Sequence, residues 1–218
     1  MKPAVASIFA LWGCAAALPA AAAAQGGPRA TLGIGLAPSW EETQTQGSLV
    51  SRTGLLREGS LGLGVSVLGL DVLYRQGTLS AGGGADQHEL VEGQALFGLR
   101  LGPWLTLEAG PHLRAYVTPA GTERWVLWEG QVRAAAQVLR PGGWVYLRVG
   151  RVLAADIPGM SFDHGQGAAA GLELRLGSTP LWGHVGYWVH RASASGALRV
   201  ETVQGLSVGV ALRRGETP

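Results

Sequence analysis

The stretch EGQALFGLRLGPWLTLEAGPHLR, residues 92–114, alternates in polarity on both sides of a Gly-Pro-Trp. Glu92, Gln94 and Arg100 share one parity before Gly102-Pro103-Trp104. Thr106, Glu108, His112 and Arg114 share one parity after it. The opposite parity reads Ala95, Phe97, Leu99, Leu101, then Leu105, Leu107, Ala109 and Leu113. Successive side chains of a strand point to opposite faces, so the pattern describes a two-faced ribbon and not a helix. One face is apolar and the other charged, so the two must meet different surroundings.

The pattern recurs along the chain. Gly102-Pro103 precedes Trp104, Pro141-Gly142-Gly143 precedes Trp144, and Ser178-Thr179-Pro180 precedes Leu181 and Trp182, so the three tryptophans are 40 and 38 residues apart. A Leu-Arg stands just before each turn, at Leu99-Arg100, Leu139-Arg140 and Leu174-Arg175. Another tight turn is expected at Leu68-Gly69-Leu70. Strands are read near 29–39, 59–68, 70–79, 89–101, 104–117, 124–139, 144–153, 167–176, 181–192 and 197–213. Longer loops are expected at 40–58, 80–88, 118–123, 154–166 and 193–196, alternating with tight turns. The fold class is therefore all-β, with ten antiparallel strands in up-and-down order, or eight if the loops absorb two runs. Glycine every few residues and the absence of helix caps argue against helices.

One face is almost free of charge, with Leu61, Leu63, Val65, Val72, Phe97, Leu147, Leu172 and Val208 among its members. The other carries Asp71, Arg75, Glu92, Arg100, Glu108, His112, Arg114, Glu129, Arg133, Arg148, Glu173, Arg175, His184, His190, Arg199 and Glu201. A soluble, lipocalin-like barrel would turn the apolar face inward; a membrane barrel would turn it to lipid. The charged face is thinned by small residues such as Gly62, Gly98, Gly110, Gly171 and Gly186, and its charges are balanced in sign. That suits a crowded interior better than a solvated surface. The runs are about 10 residues, enough to cross a bilayer as tilted strands. Hydrocarbon offers no hydrogen bonds, so such a sheet must close on itself. Trp104, Trp144 and Trp182, beside the turns, are expected at the membrane interface.

The start of the chain fits export. Met1 to Ala24 combine one lysine, a short apolar run and small residues, the pattern of a cleaved secretory signal peptide. Residues 25–218 then form a single barrel domain. Cleavage before Cys14, as in a lipoprotein, is the alternative. With Lys2 removed, sixteen arginines face fifteen acidic residues, so the remaining chain is close to neutral. Nucleic acid is not expected as a partner, because its binding needs a concentrated basic patch.

These features resemble bacterial outer-membrane β-barrel proteins of the small, single-chain kind. The resemblance rests on the leader, the alternating runs across 29–213, the turn-linked Trp104, Trp144 and Trp182, and the loop asymmetry. It implies residence in the outer membrane of a Gram-negative-type envelope, contact with lipid including lipopolysaccharide, and insertion by the barrel assembly machinery. Such chains usually end on an aromatic residue, whereas this one ends in Leu206-Ser-Val-Gly-Val-Ala-Leu212 and a polar tail.

Opposing charges are expected to pair inside. Tight turns place Glu92 opposite His112 or Arg114, and Glu173 opposite His184. A simple hairpin at 118–123 places Glu108 opposite Arg133 and His112 opposite Glu129, and a loop near 194 places His190 opposite Arg199. Pro111 lacks a donor inside a strand, so a bulge is expected there.

Little points to catalysis. Outer-membrane proteases of the omptin kind use an Asp-His couple, for which Asp163-His164 is the nearest match; adjacent residues of an extended segment point opposite ways. A lipid A deacylase needs a Ser close to a His, and His112 has none beside it. His112, His184 and His190 are expected at different heights in the barrel, without metal-ligand spacing. Gly82-Gly83-Gly84 lacks the Lys and Ser/Thr of a phosphate loop, and no cofactor is expected. Tyr187 and Trp188 read as wall residues. The expected role is structural or surface-binding, with a charge-filled lumen that conducts little. The alternatives are a narrow pore for small polar solutes or ions, a surface hydrolase, and the soluble periplasmic barrel.

Overall fold

The computed structural model describes residues 27–82, 86–139, 142–196 and 198–215. The leader with Cys14, Gly83-Gly84 and Arg140-Pro141 lie outside them. Because each strand satisfies its backbone only through neighbours, the alternating runs close into one ring. The strands are β1 (Arg29–Thr45), β2 (Ser48–Val65), β3 (Leu68–Ser80), β4 (Gln87–Arg100), β5 (Leu105–Thr118), β6 (Gly121–Leu139), β7 (Gly143–Asp156), β8 (Phe162–Arg175), β9 (Leu181–Ala194) and β10 (Arg199–Arg214). Each pairs antiparallel with its sequence neighbours. β1 closes on β10 from Ala30 opposite Arg214 to Thr45 opposite Arg199. The ten-strand reading holds, and the eight-strand alternative does not.

The expected long loops are mostly strand. Residues 40–58 extend β1 and β2 to a two-residue turn at Gln46-Gly47, whose φ values of 49° and 89° suit a type I′ hairpin. The other connections on that rim are also short, at 81–86, 119–120, 157–161 and 195–198. Strands of 13–19 residues exceed the roughly 9–11 needed to cross hydrocarbon. Beyond the bilayer a strand needs no apolar outer face, so the alternation fades there while the backbone ladder continues.

Pro111 causes no bulge. β5 keeps one register with β6, with Pro111 opposite Trp128. The β4–β5 pairing skips Ala95–Leu96 opposite Gly110–Pro111 and resumes unchanged. The sheet thus leaves a gap in one ladder and keeps the count. A register shift occurs instead between β6 and β7, where Trp128 faces Ala154 and Glu129 faces Val152.

The two faces separate cleanly. Leu61, Leu63, Phe97, Leu147, Val149 and Val208 are exposed on the outer wall, an apolar belt far too extensive for a monomer in water. Charged and large apolar side chains of the other parity fill the inside. The outer wall is therefore matched to lipid and the inner wall to ion pairing.

Candidate functional site

The lumen is open at the end where β1 begins and β10 ends and closed at the other. The open half is a vestibule of about 690 Å³, lined by eight arginines and four carboxylates. Three of the arginines are held by acids. Arg75 Nε lies 2.8 Å from Glu58 Oε2, Arg148 Nε 2.9 Å from Glu108 Oε2, and Arg213 Nη2 2.8 Å from Glu173 Oε2. Arg175 donates to the carbonyls of Thr179 and Ser178 and so braces the β8–β9 turn. Arg133 stands over the Tyr146 ring at 5.7 Å, and Arg100 and Asp71 also line the wall. His184 meets the Ser207 hydroxyl at 3.0 Å and Glu58 at 3.6 Å. With arginines in excess, the vestibule is basic.

Above it lies a buried ionic network. Arg114, fully buried, reaches Glu92 Oε1 with Nη2 at 2.7 Å and Glu201 Oε1 with Nη1 at 2.7 Å. The Tyr116 hydroxyl also donates to Glu201. Glu129 Oε1 takes His112 Nδ1 and His190 Nε2, each at 2.8 Å. Its Oε2 accepts from Gln94 at 2.8 Å and Gln131 at 2.7 Å. Toward the closed rim, Arg52 joins Glu41 and Asp86, His88 joins Glu41, and Arg199 joins Glu123 and Glu201. A buried charge is tolerated only when paired in this way.

Apolar side chains fill the space between these ions. One cluster holds Ala37, Leu56, Leu79, Leu90, Tyr116, Trp188 and Val203, and a second holds Trp125, Leu127 and Ile157 with Ala192 and Ala194. Val152 of β7 and Phe162 of β8 pack against the second. Every strand therefore contributes to the closure. Arg75 lies over Trp188 at 4.1 Å and Arg199 over Trp125 at 5.0 Å, so cations cap the aromatic faces of the plug.

Several expected pairings take other partners. Glu92 lies opposite Arg114, and Glu173 opposite His184, as the tight turns predict. Glu108, however, faces Gln131, and its ion partner is Arg148, not Arg133. The β5–β6 turn spans only 119–120, which shifts that register by two. His112 faces Leu127 and reaches Glu129 diagonally. His190 faces Val203, not Arg199. The three histidines are not all at different heights: His112 and His190 lie with ring centroids 5.2 Å apart, while His184 belongs to the vestibule.

The interface tryptophans also need correction. Trp104 is 59% exposed in the turn between β4 and β5. Trp182 is buried inside, with Arg213 over its ring at 4.6 Å. Trp144 shares the inward parity of Tyr146 and Arg148 and lies opposite Glu173. Register across each turn sets the facing of these rings, and position after the turn does not. Trp188, read as a wall residue, is part of the plug. Glu41, Arg52, Glu58 and His88 escaped the sequence reading because they lie in or next to segments read as loops. Their shared parity with the inward residues of β1, β2 and β4 is the signal that could have found them.

Asp163 is tied to the β9–β10 turn: the Ser193 hydroxyl donates to Oδ2 at 3.3 Å and the Gly196 N–H to Oδ1 at 3.2 Å. His164 is exposed on the neighbouring position. The Asp163 carboxylate therefore shapes a hairpin in this structure.

No protein-family model and no curated protein matches the chain. Among solved structures, the translocator domain of the autotransporter NalP from Neisseria meningitidis is similar over 94% of this chain and 95% of that one, at 13% identity and a TM-score of 0.50. The deltaS2S3 mutant of the monoaromatic hydrocarbon channel TodX covers 88% of this chain and 74% of that one, at 10% identity and a TM-score of 0.34. The Pseudomonas putida toluene transporter TodX covers 85% and 88%, at 8% identity and a TM-score of 0.30. At such identities the NalP likeness speaks to the fold, a closed β-barrel of the outer-membrane type.

Proposed function

We propose that the chain is an integral outer-membrane barrel that does not conduct, with a structural or binding role served by its one-ended basic vestibule. The observation that carries this reading is the closure itself. Leu56, Leu79, Leu90, Trp125 and Leu127, from four strands, are each fully buried inside the ring. A barrel of this size leaves little room beyond its side chains. In this reading the belt meets outer-membrane lipid, lipopolysaccharide included, and the assembly machinery inserts the chain. In this reading the ends of β1 and β10 face the periplasm, and the vestibule opens there.

Two measurements test it. Membrane fractionation with heat-modifiable gel mobility should find a closed barrel in the outer membrane; recovery in the periplasmic fraction would reject the location. Planar bilayers containing the folded chain should stay silent, and discrete single-channel steps would reject the closed lumen.

A further inference from the structure

We propose that His112, Glu129 and His190 form a binding site for one divalent transition-metal ion of the Zn²⁺ kind, inside the closed half of the barrel. One ligand atom from each residue lies within 4.8 Å of the others, and all three residues are buried. The donor set, two imidazoles and one carboxylate, is one that zinc takes with a fourth position left for water.

The surroundings are those of a built site. Glu129 Oε2 is fixed by the side-chain amides of Gln94 and Gln131, which leaves Oε1 as the ligand atom. His112 presents Nδ1 to the site, while its Nε2 lies 3.5 Å from Glu92, itself locked by Arg114. A ring nitrogen backed by a carboxylate is the usual outer support of a metal-bound histidine. His190 supplies an independent observation. It is buried, its Nε2 reaches Glu129 without a well-directed hydrogen bond, and its Nδ1 has no partner among the described residues.

Charge points the same way. Glu92 and Glu201 flank the fully buried guanidinium of Arg114, whereas Glu129 has only His112 and His190 as ion partners among the described residues. Glu92 also lies 3.8 Å from Arg75, and Glu201 3.5 Å from Arg199, so those two acids have further cations. Glu129 alone therefore takes its counter-charge from the site itself. Protonating both imidazoles would set like charges on rings 5.2 Å apart. One dication between neutral rings balances Glu129 without that repulsion. Ligand atoms now 2.8 Å apart need to separate by about half an ångström to take bonds of zinc length. A neighbouring pocket of about 80 Å³ borders all three residues and shares Leu73, Arg75 and Trp188 with the vestibule, so the site adjoins the open half of the barrel.

The test uses the barrel folded in detergent, checked by heat-modifiable mobility, stripped with chelator and titrated calorimetrically with ZnCl₂. One Zn²⁺ per chain is expected, with affinity weakened at least tenfold by His190→Ala and by Glu129→Gln, and unchanged by His164→Ala. Loading with Co²⁺ should give a visible absorption band that Zn²⁺ displaces. If His112→Ala does not fold, His112→Gln and His190→Ala carry the comparison. Absence of saturable zinc binding by the folded chain, or equal binding by the His190→Ala and Glu129→Gln variants, overturns the site and leaves the two-proton arrangement.

Discussion

Arg114 and Glu201 join at 2.7 Å across the full width of the barrel: β5 and β10 stand five strands apart around the ring in either direction. The bond is a strut between opposite walls. Arg114→Leu leaves Glu92 and Glu201 buried without their guanidinium, and breaking a buried pair costs about 3–5 kcal/mol. Urea unfolding in lipid vesicles should show a loss of that size. A loss below about 1 kcal/mol would mean that water reaches the network.

The partner of Glu108 can be identified by exchange. Glu108→Arg and Arg148→Glu should each destabilise, and the double exchange should recover at least half of the summed loss, because contacting residues couple by about 0.5–3 kcal/mol. Exchanging Glu108 with Arg133 should recover much less. Equal recovery by both exchanges, measured as the temperature of the gel-mobility shift, would dissolve the specific pair.

The outer wall gives a test of surroundings. Leu147 is 52% exposed on β7. In hydrocarbon, Leu147→Arg should cost about 2–4 kcal/mol near the midplane. On a wall facing water the same change should stay within about 0.5 kcal/mol. Unfolding in vesicles distinguishes the two.

Trp188 is the largest apolar side chain that borders both the small inner pocket and the vestibule. Trp188→Ala should cost about 3–5 kcal/mol as a large-to-small change and should join the two spaces. Gln131→Cys, which borders only the inner pocket, should then react faster with a bulky water-soluble thiol reagent added at the vestibule side. An unchanged rate would show that another side chain is the barrier.

The strand count and the two faces were legible because lipid enforces them on every crossing residue. Register was legible where a tight turn fixed it, as for Glu92 opposite Arg114 and Glu173 opposite His184. It slipped by two at 119–120, where the polar residues flanking the turn proved to be paired strand. An even slip keeps every side chain on its face, so the inward set survived while Glu108 changed partner. Contacts across the diameter were not legible at all. Arg114 and Glu201 are 87 residues apart in sequence, and no local pattern relates them. The meeting of His112 with His190 is hidden for the same reason. Trp144 and Trp182 were misread although their parity was available: each shares the facing of a charged neighbour, Arg148 or His184.

The mouth of the vestibule is framed in part by Arg29, Arg214 and Gly215, where the first strand starts and the last one finishes. A fluorophore attached beyond Gly215 is thus tethered at the doorway, able to report occupancy of the chamber without touching its lining. A bulky fusion at the same point acts as a cork, so protein meant for ligand screening is better labelled on the opposite rim, at the Gln46-Gly47 turn.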